Sequence, residues 1–445
     1  MFGIITFEFG SLLCTFATTS KMFILGRAVA GLGTSSISGG TIKILRHCFP
    51  LSKQPIVTSA VFTFSSLGLV SAPMVGGALI DAFNWRACFG INLPLGAVCV
   101  ALTWYGFHDP VNNPDINLPL KEKVRRLDPF GTLLVVPAIT CFLMALQWGG
   151  IKYGWKDWRI ILLFALFGTL FSAFAYVQYR RGEAATLPPR IVKQRSILAA
   201  LWFSSCCNGA LAVTEAYISI YFQGVKGLSA TSSGLLGLPM IAGLGVAGIA
   251  AGLGTTAIGY YFRKFMFWCG AKLVSLTHLP AFMFATSTLA PIASGLLTTI
   301  DLDESTVKVA ALLGFLGAAI GFGLQTPTLI VQTSLSPKDV SLGTAVIGFG
   351  GGMGSALWTC ASATLFQNRL VEEVQHHAPS TNGTELVHTG LSDLRDYIGS
   401  ENLKNVLSGY NEAVSQTLYI PLGLGILTII GSIATERKSV KKKRS

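Results

Sequence analysis

Apolar runs of membrane-crossing length, separated by short polar segments, repeat along almost the whole chain. About 20 apolar residues in a helix cross the ~30 Å hydrocarbon layer. Because lipid offers the backbone no hydrogen-bond partner, each run is predicted to be an α-helix. The sequence therefore predicts an all-α polytopic membrane protein with about 12 transmembrane helices. They lie near residues 3–20, 22–46, 55–79, 87–107, 129–149, 158–178, 196–222, 232–258, 265–299, 306–333, 341–366 and 414–434.

Positive charges are concentrated in alternate loops between these runs, at residues 121–126, at residues 180–195 and in the tail "ERKSVKKKRS". Cytoplasmic loops carry the excess of Lys and Arg in membrane proteins, so both termini are predicted to be cytoplasmic. The long polar loop 367–413 then lies outside, where its sequon Asn382-Gly383-Thr384 predicts glycosylation of Asn382. No cleavable signal peptide is predicted ahead of the first run.

The composition, 51% hydrophobic and 12% charged, excludes an ordinary soluble protein. The net charge of +12 does not indicate a nucleic-acid partner, because Lys and Arg lie in short loops rather than on one face. The nine cysteines include no C-x-x-C pair, and neither a nucleotide-binding loop nor a catalytic serine or zinc motif is present. We therefore expect no enzyme activity, no metal and no cofactor.

Ionisable residues within the predicted spans are few, and their cost in lipid makes each a functional candidate. Glu215 lies deep in the seventh span, where it is a candidate to exchange protons or is structurally paired. Arg27, in "GRAVAGLG", has either a functional role or snorkels to the outer face. Glu8 either exchanges protons or hydrogen-bonds a neighbouring helix, and Lys43 is expected to snorkel.

Two glycine-rich segments satisfy or approach known nucleotide-binding patterns but lie in apolar helices. Gly243, Gly245 and Gly248 match G-x-G-x-x-G without a preceding strand, and "GFGGGMGS" covers residues 348–355. Small residues at three- and four-residue spacing let membrane helices approach closely. We interpret both segments as helix contacts.

Several ordered motifs resemble the fourteen-span drug:proton antiporters of the major facilitator superfamily, especially fungal efflux pumps. They include "FEFGSLLC", "GRAVAGLG", "GLVSAPMVGGALIDAFNWRACFGINLPLG", "YFQGVKGLSATSSGLLGLP" and "GFGLQTPTLIVQTSL". The resemblance covers essentially the whole chain. It implies a major facilitator fold and matches Arg27 to the family's proton-coupling arginine, whereas no motif identifies Glu215.

The same resemblance implies an antiporter motif, G-x-x-x-G-P-x-x-G-G, in the third predicted span. Its positions here are Gly68, Ala72, Pro73, Gly76 and Gly77. We interpret it as a sealing contact and hinge, since glycines allow tight helix contact and proline bends a helix. Alanine at position 72 departs from the pattern and is expected to add a methyl group at a close contact.

Two further departures concern the length of the chain. Relative to the family, the first two spans are missing, so we expect an N-terminally truncated chain with a partial N-terminal bundle. The predicted domains are residues 1–107 (four spans), 108–195 (two linker spans and cytoplasmic loops), 196–434 (a six-helix bundle) and 435–445 (a basic tail). About residues 272–293 exceed the family pattern, and Pro280 and Pro291 are expected to interrupt a continuous helix there, so we interpret them as translated intron.

The function implied is proton-coupled export of small hydrophobic compounds (a drug, toxin or secondary metabolite) by alternating access, driven by the proton gradient. Substrate is expected in a central cavity lined by Tyr217, Tyr221, Phe222 and Gln223. The alternatives are a siderophore transporter, a vacuolar basic amino acid transporter or a non-transporting remnant. We expect a monomer in the plasma membrane, with the vacuolar membrane as alternative.

Overall fold

The apolar runs form helices in the computed structural model, which describes residues 1–48, 74–106, 128–150, 152–182, 188–257, 281–336, 339–379 and 394–435, with positions 61, 65, 68, 72, 119 and 185. In chain order the helices are α1 Phe2–Thr15, α2 Ser20–Cys48, α3 (74–82), α4 Ala87–Gly90, α5 Asn92–Gly106, α6 Pro129–Trp148, α7 Trp158–Arg181, α8 Pro189–Val192, α9 Arg195–Ile220, α10 Ala230–Ala257, α11 Ala281–Leu297, α12 Thr306–Leu324, α13 Thr326–Ser334, α14 Val340–His377, α15 Leu394–Thr417 and α16 Tyr419–Ala434.

Seven stretches within the described residues are long and apolar enough to cross a membrane. They are Ala87–Gly106, Pro129–Trp148, Trp158–Arg181, Arg195–Val225, Ala230–Ala251, Thr306–Gln332 and Leu403–Ala434. Helices α1 and α11 are apolar but shorter, while α2 and α14 contain many Gly and Ser residues that lower their mean hydropathy. Most of the predicted span 55–79 lies outside the described residues.

The chain divides into two compact units. One contains residues Met1–Pro119 and Ser229–Leu235, and the other contains Leu120–Leu228 and Leu236–Ser445. The sequence predicts four segments, which is a finer division than these two units. Its domain boundaries therefore remain untested predictions.

In the larger unit, the hydrophobic core forms around α9, which packs against α14, α16 and α13. Phe203 and Val213 on α9 are fully buried. Helix α9 is therefore enclosed by protein on most of its surface, whereas α6 and α7 leave most of theirs accessible.

Each of the two glycine-rich segments has a glycine that lies against a neighbouring helix in this unit. A methyl group added to Gly354 on α14 would collide with the Ser205 backbone on α9. Gly243 on α10 lies against Gly314 on α12 in the same way. The absence of a side chain lets these helix backbones touch, which confirms the packing interpretation at Gly354 and Gly243. A methyl group at Gly245 would meet no described atom within 4 Å.

Helix α11 departs from one sequence prediction. Pro291 was expected to interrupt the helix, yet it lies inside α11, which continues to Leu297. Membrane helices tolerate proline where neighbours satisfy the freed carbonyl. The buried side chains of Met283 and Thr286 pack within the unit, and Thr286 Oγ1 donates to Ala319 O at 2.7 Å. This packing argues against the intron interpretation for residues 281–293, and residues 272–280 lie outside the described part.

Candidate functional site

Helices α1 and α2 pack closely through small residues in the smaller unit. Gly10 lies against the Ala30 backbone, and Gly33 lies against the backbone of Phe7, at distances that leave no room for a methyl group. Gly26 likewise lies against Cys14. Gly26 and Gly33 of "GRAVAGLG" therefore allow α1 and α2 to pack closely.

Glu8 on α1 points toward α5. Its carboxyl group occupies the space that a side chain at Gly96 would fill. Its Oε2 atom is buried and has no hydrogen-bond partner in the structure. One turn along α1, Ser11 Oγ accepts a hydrogen bond from Asn92 Nδ2 at 3.2 Å. The α1–α5 contact is therefore polar, with one carboxylate oxygen left unsatisfied.

Arg27 on α2 is exposed, and its guanidinium lies 5.6 Å from the centre of the Phe89 ring. A cation over an aromatic face gains about 0.5–1 kcal/mol at an exposed site. Among the described residues, no ion pair joins Arg27 to Glu8 or to another carboxylate. Lys43 belongs to α2, and the position of its side chain is outside the described part.

The loop after α3 is fixed by an arginine and aromatic rings. Arg86 donates from Nε and Nη2 to Ala17 O, at 3.3 and 2.9 Å. The rings of Phe23, Trp85 and Phe89 meet edge to face with centroids 5.3 to 6.3 Å apart. These contacts attach the loop to the turn between α1 and α2.

The antiporter motif is only partly a close contact. Gly77 is buried, and a methyl group there would lie 2.6 Å from Thr231 Cα at the start of α10. A methyl group at Gly76 or Gly68 would meet no atom of the described residues within 4 Å. Ala72 is exposed, so the expectation that its methyl group lies at a close contact is wrong. Pro73 lies outside the described residues.

Asp81, one turn beyond Gly77, binds the beginning of α10. Its Oδ2 accepts a hydrogen bond from the Thr231 backbone N at 3.2 Å and a second one from Thr231 Oγ1. A carboxylate at a helix N-terminus satisfies a backbone donor that has no partner within the helix. The end of α3 and the start of α10 are thus joined by backbone contact at Gly77 and by Asp81.

Glu215 lies near the end of α9, five residues before Ile220, and its side chain is accessible although the neighbouring Thr214 and Tyr217 are buried. Among the residues that the structure describes, no hydrogen bond or ion pair joins Glu215 to a partner. The alternative of a structurally paired glutamate therefore has no support from these residues. An ionisable group in a membrane helix usually faces the bundle interior or a water-filled cavity.

The aromatic residues predicted to line a cavity are buried in protein. Tyr217 packs against Phe366, with ring centroids 5.2 Å apart, and Phe222 is completely buried. Tyr221 is 1% exposed and donates from its hydroxyl to Asp301 O at 3.2 Å. Gln223 is half-buried. In this conformation the three rings offer no open surface, and their role in a cavity remains a prediction.

A π-helical turn, Tyr221–Val225, ends the seventh span. Beyond it, Lys226 Nζ donates to Leu302 O and Glu304 O at 2.7 and 2.6 Å. Single π turns inside helices are frequent at functional sites. This turn cannot be predicted from the sequence, because a π turn has no residue signature comparable to a proline or glycine motif.

Asp128, which the sequence did not single out, is a buried acid with three hydrogen-bond donors around its carboxylate. It is 1% exposed and accepts from Gly131 N at 2.9 Å, Gln178 Nε2 at 2.7 Å and Arg181 Nη1 at 2.5 Å. It begins α6, whereas Gln178 and Arg181 end α7. Asp128 therefore ties two antiparallel helices at one end and has a structural role.

A family model described as "Major Facilitator Superfamily" matches residues 1–179. The relative "Efflux pump roqT" of Penicillium rubens is 39% identical over 439 residues, which cover 99% of this chain and 78% of that protein. The chain belongs to the major facilitator superfamily. "MFS-type efflux pump MFS1" of Trichophyton rubrum is 38% identical over 444 residues, covering 100% of this chain and 80% of the relative.

Other comparisons agree with this membership. "MFS-type transporter astH" of Aspergillus oryzae is 35% identical, over 98% of this chain and 74% of its own. The solved structure of a bacterial homologue of the human lysosomal transporter Spinster, inward-facing and occupied, superposes with a TM-score of 0.57 at 12% identity, over 98% of this chain and 81% of that chain. At that identity the likeness shows the fold alone. The chain is thus a polytopic membrane transporter, not an enzyme, and needs no cofactor.

Proposed function

We propose that this major facilitator protein exports small hydrophobic compounds in exchange for protons. The observation that carries the proposal is the similarity, over 99% of the chain, to a protein named as an efflux pump. Further relatives with "efflux pump" in their names match 100% of the chain at 38% and 34% identity. This similarity along nearly the whole chain favours the same direction of transport.

Two carboxyl groups support the proton-coupling part of the proposal. Glu215 is accessible within its membrane span without a described partner, and Glu8 holds a buried oxygen without a hydrogen bond. A charged group in this state is expensive, so binding a proton relieves the cost. Arg27, exposed on α2, is the cation that we propose tunes this exchange.

The contact of α3 with α10 supports alternating access. Gly77 and Asp81 join α3 to the first turn of α10 without any bulky side chain between the backbones. A contact of small residues and a few hydrogen bonds can open and reseal at modest cost. We propose that this contact opens during the transport cycle, with Pro73 as the bend in α3.

The substrate cavity, oligomeric state, location and glycosylation are proposed as the sequence predicts them. Substrate binds in a cavity to which Gln223 and, after a conformational change, Tyr217, Tyr221 and Phe222 contribute. The protein acts as a monomer in the plasma membrane without a nucleic-acid partner, and Asn382 is glycosylated outside. Asn382 lies outside the described residues.

The experiment is reconstitution of the purified chain in liposomes, with a panel of fluorescent hydrophobic compounds and an imposed proton gradient. We expect accumulation that a protonophore abolishes. In Glu215→Gln, accumulation should fall at least tenfold because glutamine cannot release a proton, whereas exchange of labelled for unlabelled compound without a gradient should persist.

The matched control is Glu372→Gln, a change of the same type at an exposed glutamate that pairs with Arg369. It should leave both assays unchanged. Accumulation that resists the protonophore, or an equal loss of accumulation and exchange in Glu215→Gln, would contradict proton coupling through Glu215. A chain that moves none of the panel under any gradient would contradict export.

A further inference from the structure

Three metal-ligating side chains meet in the last turn of α14, outside every feature used above. One oxygen of Glu373 and one ring nitrogen each of His376 and His377 all lie within 4.8 Å of one another. The positions i, i+3 and i+4 fall on one face of a helix. The sequence "EEVQHH" therefore presents two imidazoles and a carboxylate on the same side.

The separations suit a small divalent cation. With bonds of about 2.0–2.1 Å, tetrahedral zinc holds its ligand atoms about 3.4 Å apart. Glu373 Oε2 and His377 Nδ1 are 3.8 Å apart. Nδ1 also lies 2.9 Å from the backbone carbonyl of Glu373, so zinc bound at this nitrogen replaces that hydrogen bond. Rotation of the exposed His376 side chain covers the remaining difference for the third ligand.

A neighbouring helix orients the carboxylate. Gln416 on α15 donates from Nε2 to Glu373 Oε1 at 2.8 Å, leaving Oε2 toward the histidines. Hydrogen bonds of this kind to the ligands fix their direction and raise metal affinity. Gly409 on α15 lies against the Glu373 backbone carbonyl, so the two helices meet directly at this turn.

The electrostatic setting also favours a cation. The turn is the C-terminal end of a 38-residue helix, where the partial charge of the backbone dipoles is negative. The side chains of Glu373 and His377 are 16% and 32% exposed, so an ion has access without being fully hydrated. On the charge distribution of the loops, this end of α14 faces the outside of the cell.

We propose that Glu373, His376 and His377 form a zinc site at the external end of α14, with water in the fourth position. Two imidazoles and one carboxylate with an open position are a known zinc ligand set. Because Gln416 connects the site to α15, bound zinc stabilises the contact between α14 and α15. The site is separate from the proton-exchanging groups proposed above.

The test is zinc titration of the full-length chain, purified in detergent through a tag that contains no histidine. We expect one zinc equivalent by calorimetry, and with cobalt in place of zinc, intense visible absorption typical of a four-coordinate ion. His376→Gln should weaken zinc binding at least tenfold. Because His376 is exposed, this variant keeps the fold, which equal thermal unfolding in chelator verifies.

Glu373→Gln provides a second ligand deletion, and Glu372→Gln is its matched control on the neighbouring position. Glu373→Gln should weaken zinc binding at least tenfold, while Glu372→Gln should bind zinc as the wild type does. Equal zinc affinity in wild type, His376→Gln and Glu373→Gln would overturn the proposal. A six-coordinate cobalt spectrum that none of the variants changes would overturn it as well.

Discussion

The region around Asp128 and the region around Glu8 both bury part of a carboxylate between two helices, but they treat it differently. Asp128 receives hydrogen bonds from a backbone N–H, an amide and a guanidinium. Glu8 retains a buried oxygen with no partner and lies where Gly96 leaves space. A fully bonded acid holds helices in place, whereas an incompletely bonded acid remains able to change its charge. The difference separates a structural carboxylate from a candidate for proton exchange.

The largest effect on stability is expected at Asp128. Asp128→Ala leaves the buried Gln178 amide and the Arg181 guanidinium without their acceptor, and removing one member of such a set costs about 3 kcal/mol. The free energy of unfolding, measured by reversible titration with denaturing detergent, should fall by this amount. Transport per folded molecule should persist.

Asp157→Ala is the control for Asp128→Ala. Asp157 caps α7 through one hydrogen bond to Arg159 N at 2.9 Å, so its removal should cost about 1 kcal/mol. If both variants lose the same free energy of unfolding, Asp128 stabilises the protein only as a helix cap, and its bonds to Gln178 and Arg181 contribute nothing further.

A smaller effect is expected at the contact of α3 with α10. In Gly77→Ala, the new methyl group would lie 2.6 Å from Thr231 Cα, so one backbone must shift at a cost of about 2 kcal/mol. Liposome transport and the free energy of unfolding should both decrease. Gly76→Ala, whose methyl group would meet no atom of the described residues within 4 Å, should stay within about 0.5 kcal/mol of wild type. Equal transport and equal free energies of unfolding in the two variants would show that Gly77 does not make this contact.

The smallest effect on stability is expected at Glu8, because its buried oxygen has no bond to lose. Glu8→Gln should change the free energy of unfolding by less than about 0.5 kcal/mol. Gradient-driven accumulation in liposomes should nevertheless fall, while exchange persists. A loss of stability as large as that of Asp128→Ala would instead make Glu8 a structural acid and end the contrast between the two regions.

The helices and glycine contacts were predictable, because they depend on local spacing. Gly354 and Gly243 lie in apolar helices whose small residues follow a helical repeat, and this pattern alone indicates close packing. Glu215 could also be identified as a candidate from the sequence, since a carboxylate in an apolar run is rare. These signals need no knowledge of the partner helix.

The role of Asp128 could not be predicted, because its acceptor bonds to Gln178 and Arg181 join positions 50 and 53 residues apart. In the sequence, "RRLDPFG" is typical of an exposed loop. The burial of Tyr221 and Phe222 was equally hidden, since an aromatic side chain has the same pattern whether it lines a cavity or fills a core. Whether such a side chain is buried or bonded depends on residues far away in the sequence.

The π turn at Tyr221–Val225 makes the end of α9 sensitive to chain length. Such a turn holds one residue more than an α-helical turn, so deleting one residue there would convert it to regular helix. The residues that follow would then rotate by about 100° about the axis. Lys226 would leave the carbonyls of Leu302 and Glu304, and its two hydrogen bonds to the segment before α12 would be lost. Insertions and deletions, rather than substitutions, are therefore the changes this part of the transporter tolerates least.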